Sequence, residues 1–123
     1  MRRILIADDE ILVRVGLRAL LDWKAEGYAI VGEAASGEEA LRLLPELEPD
    51  LVLTDLVMGP GDGFALIRGA RALSSTVGLV VLSCRNDFDA VREAMRLGAD
   101  DYVFKLTMKG EEILEVLARV AAK

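Results

Sequence analysis

Four short strand-like runs in this 123-residue sequence each end on a polar residue able to do chemistry. ILIA leads into Asp8, Asp9 and Glu10; LVLT into Asp55; VVL into Ser83 and Cys84; DYVF into Lys105. A carboxylate can act as nucleophile or metal ligand, an ammonium as a fixed positive charge, and a hydroxyl as a partner for a phosphoryl oxygen. If the fold gathers Asp8, Asp9 and Asp55, their charges repel. One pair at ~4 Å costs ~4 kcal/mol at an effective dielectric of about 20. A hard divalent cation relieves that cost, and Mg²⁺ suits oxygen ligands, keeping waters and phosphate oxygens in its shell. The set therefore points to acyl-phosphate chemistry. Taken singly, Asp9 reads as a helix cap, Ser83 as a turn residue and Lys105 as a surface charge. The argument rests on their joint position, each closing a different strand.

The elements that would gather them alternate strictly. Apolar runs cover Ile4 to Ala7, Tyr28 to Val31, Leu51 to Thr54, Val77 to Leu82 and Asp101 to Phe104. Helical patterns cover Ile11 to Leu21, Gly37 to Leu47, Gly63 to Leu73, Phe88 to Leu97 and Glu111 to Ala121. The inward stripes are Val13, Leu17 and Leu20; Ala40, Leu41, Leu44 and Leu47; Phe64, Ile67 and Ala70; and Ile113, Leu117 and Val120. Ser36 with Glu39 forms a capping box for the second helix. Trp23 packs where the first helix ends. Alternating strand and helix predicts an α/β domain, a parallel sheet covered on both faces with right-handed crossovers. Five strands fit the doubly wound, flavodoxin-like order 2-1-3-4-5, with five helices. Ligands then bind beyond the carboxyl ends of the strands, where strands one and three are neighbours, so Asp8, Asp9 and Asp55 converge.

Composition excludes several classes. Apolar residues make up 53% of the chain, enough for a full core. Fifteen basic residues against twenty-one acidic give a net charge of -6, unsuited to holding nucleic acid. With no histidine there is no Ser-His-Asp triad, no His-ligated zinc and no phosphohistidine donor in the chain. A single cysteine, Cys84, makes no internal disulfide and reads as a small residue at the wall of the site. No run is long enough for a signal peptide or a membrane span, so a soluble, cytoplasmic domain is expected.

The segments ILIADDE, DLVLTDLVM with Gly-Asp-Gly at 61–63, VVLS and LGADDYVFK resemble the receiver domain of two-component response regulators, across residues 1–123. The resemblance implies that Asp55 is the phosphorylated aspartate and that Mg²⁺ is held by Asp8, Asp9, Asp55 and the backbone carbonyl of Val57, with Asp9 the more direct ligand of the acidic pair. It implies Ser83 as the switch hydroxyl, Lys105 as the family's lysine and Tyr102 as the switch aromatic. A histidine kinase would donate in trans. The face of helix four, strand five and helix five would change on phosphorylation and form a homodimer contact. The stretches LLDWKAEGYAIVGEA and RNDFDAVREAMRLGADDY resemble receivers joined to AraC-type helix-turn-helix output domains; DNA would be reached only through such a domain, outside this chain.

Two positions depart from the family pattern. Met58-Gly59-Pro60 exchanges the usual Pro-Gly order, and Leu106 replaces the usual proline after the lysine. A trans Lys105-Leu106 bond, a buried Leu106 and a cap for the fifth helix at Thr107 or Gly110 are expected. Competing readings are a degenerate receiver binding partners without phosphorylation, an aspartate-nucleophile phosphatase, and a flavin carrier. The phosphatase needs Asp-x-Asp after strand one, and the flavin carrier a Ser/Thr/Gly-rich loop there; neither is present.

Overall fold

In a computed structural model, which describes residues 1–58, 62–84, 88–105 and 109–122, the elements alternate as the pattern predicts. They are β1 (Arg2–Ala7), α1 (Ile11–Leu20), β2 (Tyr28–Ala34), α2 (Gly37–Leu47), β3 (Leu51–Asp55), α3 (Gly63–Leu73), β4 (Gly78–Ser83), α4 (Phe88–Leu97), β5 (Asp101–Phe104) and α5 (Gly110–Ala121). All strands are parallel, in the order β2-β1-β3-β4-β5.

The alternation of side chains along a strand divides the core in two. Leu5, Ala7, Val52, Leu79 and Val81 face one side and pack with Ala40, Leu44, Leu66, Ile67, Ala70 and Ala94 of α2, α3 and α4. Ile4, Ile6, Leu51, Leu53, Val80 and Leu82 face the other and meet Leu17 of α1 and Ile113, Leu117 and Val120 of α5. Burial on both faces is why the central strands read as unbroken apolar runs.

Several boundaries differ from the expected ones. β2 continues past Val31 to Ala34 through an irregularity in its pairing with β1, which the polar Gly32-Glu33 pair hides from a hydrophobicity count. α3 buries Leu66 with Ile67 and Ala70, while Phe64 is half-buried. α5 starts at Gly110 with Lys109 at its N-cap and no side-chain cap, so Gly110 is the first helical residue rather than the cap. Thr107, Leu106 and its peptide bond to Lys105 lie outside the described residues, as do Gly59 and Pro60.

Local signals behave as their chemistry requires. Ser36 accepts from the Glu39 amide, and the Glu39 carboxylate returns to the Ala35 amide at 2.8 Å, next to the cap. Trp23 is buried, donates from Nε1 to the Leu17 carbonyl at 2.8 Å and meets Tyr28 edge-on. No helix among the described residues is long and apolar enough to cross a membrane.

Candidate functional site

The carboxyl ends of β1, β3 and β5 converge on one charged cluster. Asp8 follows β1 and is fully buried, its amide donating to the Ala34 carbonyl at 2.9 Å. Its Oδ1 accepts from the Glu10 amide at 2.9 Å. Asp55 is the last residue of β3, and its Oδ1 accepts from the Leu56 amide at 2.8 Å. Lys105 follows β5, with its amide tied to the Ser83 carbonyl at 2.8 Å. Its ammonium donates to Asp55 Oδ2 at 3.2 Å and to Glu10 Oε1 at 3.3 Å. Asp8 Oδ2 lies 3.0 Å from the same ammonium as an ion pair, without hydrogen-bond geometry to any of the described residues.

Electrostatics follow from this packing. Burial pushes the Asp8 carboxyl above its usual range, against the Glu10 amide and the Lys105 ammonium, which pull it down; the Asp55 charge adds to the rise. Burial by itself would lower Lys105, but Asp8 and Asp55 outweigh it and hold the ammonium above the ordinary lysine range. One cation thus faces several carboxylates. Asp8, Asp9, Glu10 and Asp55 each offer an oxygen, and these oxygens lie within 4.8 Å of one another. An anionic, all-oxygen donor set in which three of the four carboxylates share one ammonium fits a hard divalent cation such as Mg²⁺.

The remaining candidates stand around this cluster. Asp9 is exposed beside it, and α1 takes Glu10, not Asp9, as its N-cap. Ser83 ends β4 and is buried, its Oγ without a partner among the described residues. Val57 lies two residues past Asp55 on the exposed turn leaving β3. Tyr102 pairs with Val81 rather than with Ser83, whose partner is Phe104. It therefore sits two residues back from the strand end, 40% exposed, with its ring edge-on to Phe104 at 5.6 Å. Cys84 is exposed.

Three supporting residues carried no role in the sequence reading. Glu10 stands in the same acidic run as Asp8 and Asp9, with no spacing of its own to mark it. Arg14 donates to the Asp8 carbonyl at 2.6 Å and to Glu33 at 2.9 Å, joining β1 and β2 to α1; nothing in its spacing announces this. Gly63 begins α3 against the end of β3: a Cβ there would stand 2.1 Å from the Asp55 carbonyl oxygen. Its signal was its place in Gly-Asp-Gly.

The response regulator receiver domain model matches residues 4–118. The chain is 32% identical over 123 residues to the uncharacterized transcriptional regulatory protein YesN of Bacillus subtilis (strain 168), covering 100% of this chain and 33% of that protein. It is 36% identical over 119 residues to the nitrate/nitrite response regulator protein NarL of Escherichia coli (strain K12), covering 97% of this chain and 54% of that protein. It therefore spans between a third and about half of these two relatives. Among solved structures, the REC domain of AraT, a response regulator from Geobacillus stearothermophilus, superimposes with a TM-score of 0.88 at 35% identity, covering 98% of this chain and 93% of that one.

Proposed function

The chain belongs to the response regulator receiver domain family of two-component systems, and from that premise we propose that it is a phosphoacceptor switch acting through Asp55. The observation that carries the proposal is the pairing of the Asp55 carboxylate with the Lys105 ammonium at 3.2 Å, beside the buried Asp8.

In this reading an Asp55 oxygen attacks the phosphorus of a phosphohistidine on a partner histidine kinase. The new P–O bond forms as the P–N bond breaks, and the departing imidazole takes up a proton. Lys105 neutralises the oxygens that gain charge. Asp8, Asp9, Asp55 and the Val57 carbonyl are the residues proposed to hold Mg²⁺. The ion, when bound, would offset carboxylate and phosphoryl charge. The Ser83 hydroxyl, without a partner among the described residues, supplies the hydrogen bond that a phosphoryl oxygen needs, and its strand pairs with β5. Movement of Ser83 then alters the packing of Tyr102.

The output surface is the face of α4, β5 and α5, proposed as a homodimer contact in the phosphorylated state. Phe88 and Met95 of α4 and Tyr102 of β5 are 74%, 38% and 40% exposed, apolar area that a partner would cover. The domain itself is regulatory, with turnover confined to its own phosphorylation and dephosphorylation, and its proposed setting is the cytoplasm. An output in transcription belongs to the same proposal, since relatives such as YesN are named as transcriptional regulators. DNA would be contacted by an output domain rather than by this acidic unit.

Intact mass after incubation with acetyl phosphate and Mg²⁺ tests the core of the proposal. One added phosphoryl group is expected for the parent chain and none for Asp55→Asn. Equal labelling of the two would overturn it.

A further inference from the structure

We propose that Glu10 is a positioning residue that competes with the phosphoryl group for the Lys105 ammonium, and so sets how fast Asp55 is phosphorylated and how long the product lasts. The inference rests on the phosphoacceptor reading of Asp55.

Glu10 occupies the N-cap of α1, where a Ser, Thr, Asp or Asn side chain would turn back onto the first free amides. It does not do so. Its side chain makes no cap hydrogen bond, and the first turn is closed by its carbonyl, which accepts from the Val13 and Arg14 amides at 3.1 and 3.3 Å. The carboxylate instead reaches over the site to Lys105 at 3.3 Å, with the side chain 64% exposed. Its backbone amide meanwhile holds Asp8 Oδ1. One residue thus orients both a site carboxylate and the site cation.

The ammonium has three protons. Asp55 and Glu10 each accept one, and Asp8 Oδ2 stands at 3.0 Å. A phosphoryl group on Asp55 brings further anionic oxygens to the same cation, so a partner must give way. Asp8 is buried and Asp55 carries the group itself. Glu10 is the exposed partner, free to swing into water at little cost. Until it does, its charge occupies Lys105 and repels an anionic donor.

Glu10→Gln removes the charge and keeps the shape at an exposed position, so folding is retained. With acetyl phosphate and Mg²⁺ at low ionic strength, the variant is expected to label about fivefold faster than the parent, equivalent to ~1 kcal/mol of like-charge repulsion. Its aspartyl phosphate should decay more slowly. The rate gap should narrow as salt rises, which a purely structural role would not produce. Without Mg²⁺ or donor, the NMR resonances of the Lys105 side chain should shift between the two proteins. Equal or slower labelling of Glu10→Gln, a salt-independent gap, or unmoved Lys105 resonances would overturn the inference while leaving Asp55 as the acceptor. A parent chain that takes up no phosphoryl group would overturn both readings.

Discussion

Lys105 Nζ stands 3.2 Å from Asp55 Oδ2, although fifty positions separate the two residues and another strand lies between theirs. Neighbouring strands are ~4.8 Å apart, so the Lys105 stem and the carboxylate side chains must close the gap from both sides. Only a long, flexible stem with a charge at its tip can bridge that distance. A shorter residue at the end of β5 would leave the carboxylates of β1 and β3 without their cation.

Lys105→Met should therefore weaken both stability and chemistry. The ammonium's raised proton affinity stabilises the fold fully below the ordinary lysine range, and this contribution is lost as pH climbs through the higher folded value. At neutral pH the variant should lose about 2–4 kcal/mol in urea denaturation, the scale of an uncompensated buried charge. Phosphoryl uptake should fall about 100-fold in a mass-based rate assay. Labelling at the parental rate would contradict the role given to the ammonium.

Asp8→Asn should act in the opposite direction on the metal-free chain. The folded state raises the proton affinity of Asp8, so it binds a proton that the unfolded chain has released. Parent stability is then lost as pH rises from the unfolded carboxylate range through the folded value. The variant should escape that loss and gain on the order of 1 kcal/mol at neutral pH. Stabilisation by added Mg²⁺ should shrink. Thermal melts across pH, with and without Mg²⁺, check both parts. Relief of repulsion is expected at buried Asp8, whereas Asp9 is exposed.

Gly63→Ala should strike the site through the backbone. Its Cβ would lie 2.1 Å from the Asp55 carbonyl oxygen and 2.7 Å from the Leu56 Cα, neither of which is a flexible side-chain end. The start of α3 must shift away from the end of β3, at a cost of about 3 kcal/mol. Denaturation and the Asp55 labelling rate should both report it. A variant as stable as the parent would show that the junction yields more easily.

Arg71→Ala should loosen the opposite end of the sheet and spare the acceptor. The Arg71 guanidinium donates to the Gly98 carbonyl at 2.8 Å, the Val77 carbonyl at 2.6 Å and Asp100 Oδ2 at 2.7 Å. Asp100 Oδ2 also accepts from the Leu79 amide at 2.9 Å. Truncation removes three bonds that join α3 to the starts of β4 and β5, costing about 2–3 kcal/mol. Hydrogen exchange should rise around Gly98 to Asp100, with Asp55 labelling retained. Unchanged protection there would count against the clamp.

The sequence by itself determined the alternation of elements, the parallel sheet and the strand ends at which Asp8, Asp55, Ser83 and Lys105 stand. Those features are local: strand and helix periods differ, and central strands buried on both faces must be apolar throughout. The switch-point rule then brings the ends of β1 and β3 together without knowledge of any contact. Only the tertiary structure separated buried Asp8 from exposed Asp9, since adjacent residues past a strand end differ in burial only through what packs over them. It moved the N-cap of α1 from Asp9 to Glu10 and paired the Glu10 carboxylate with a cation ninety-five residues away, a contact no local pattern records. It set Tyr102 opposite Val81 and Phe104 opposite Ser83, because register follows pairing across strands and not composition. The Arg71 clamp and the contact of Gly63 with the Asp55 carbonyl were equally hidden, as both depend on where separate elements meet.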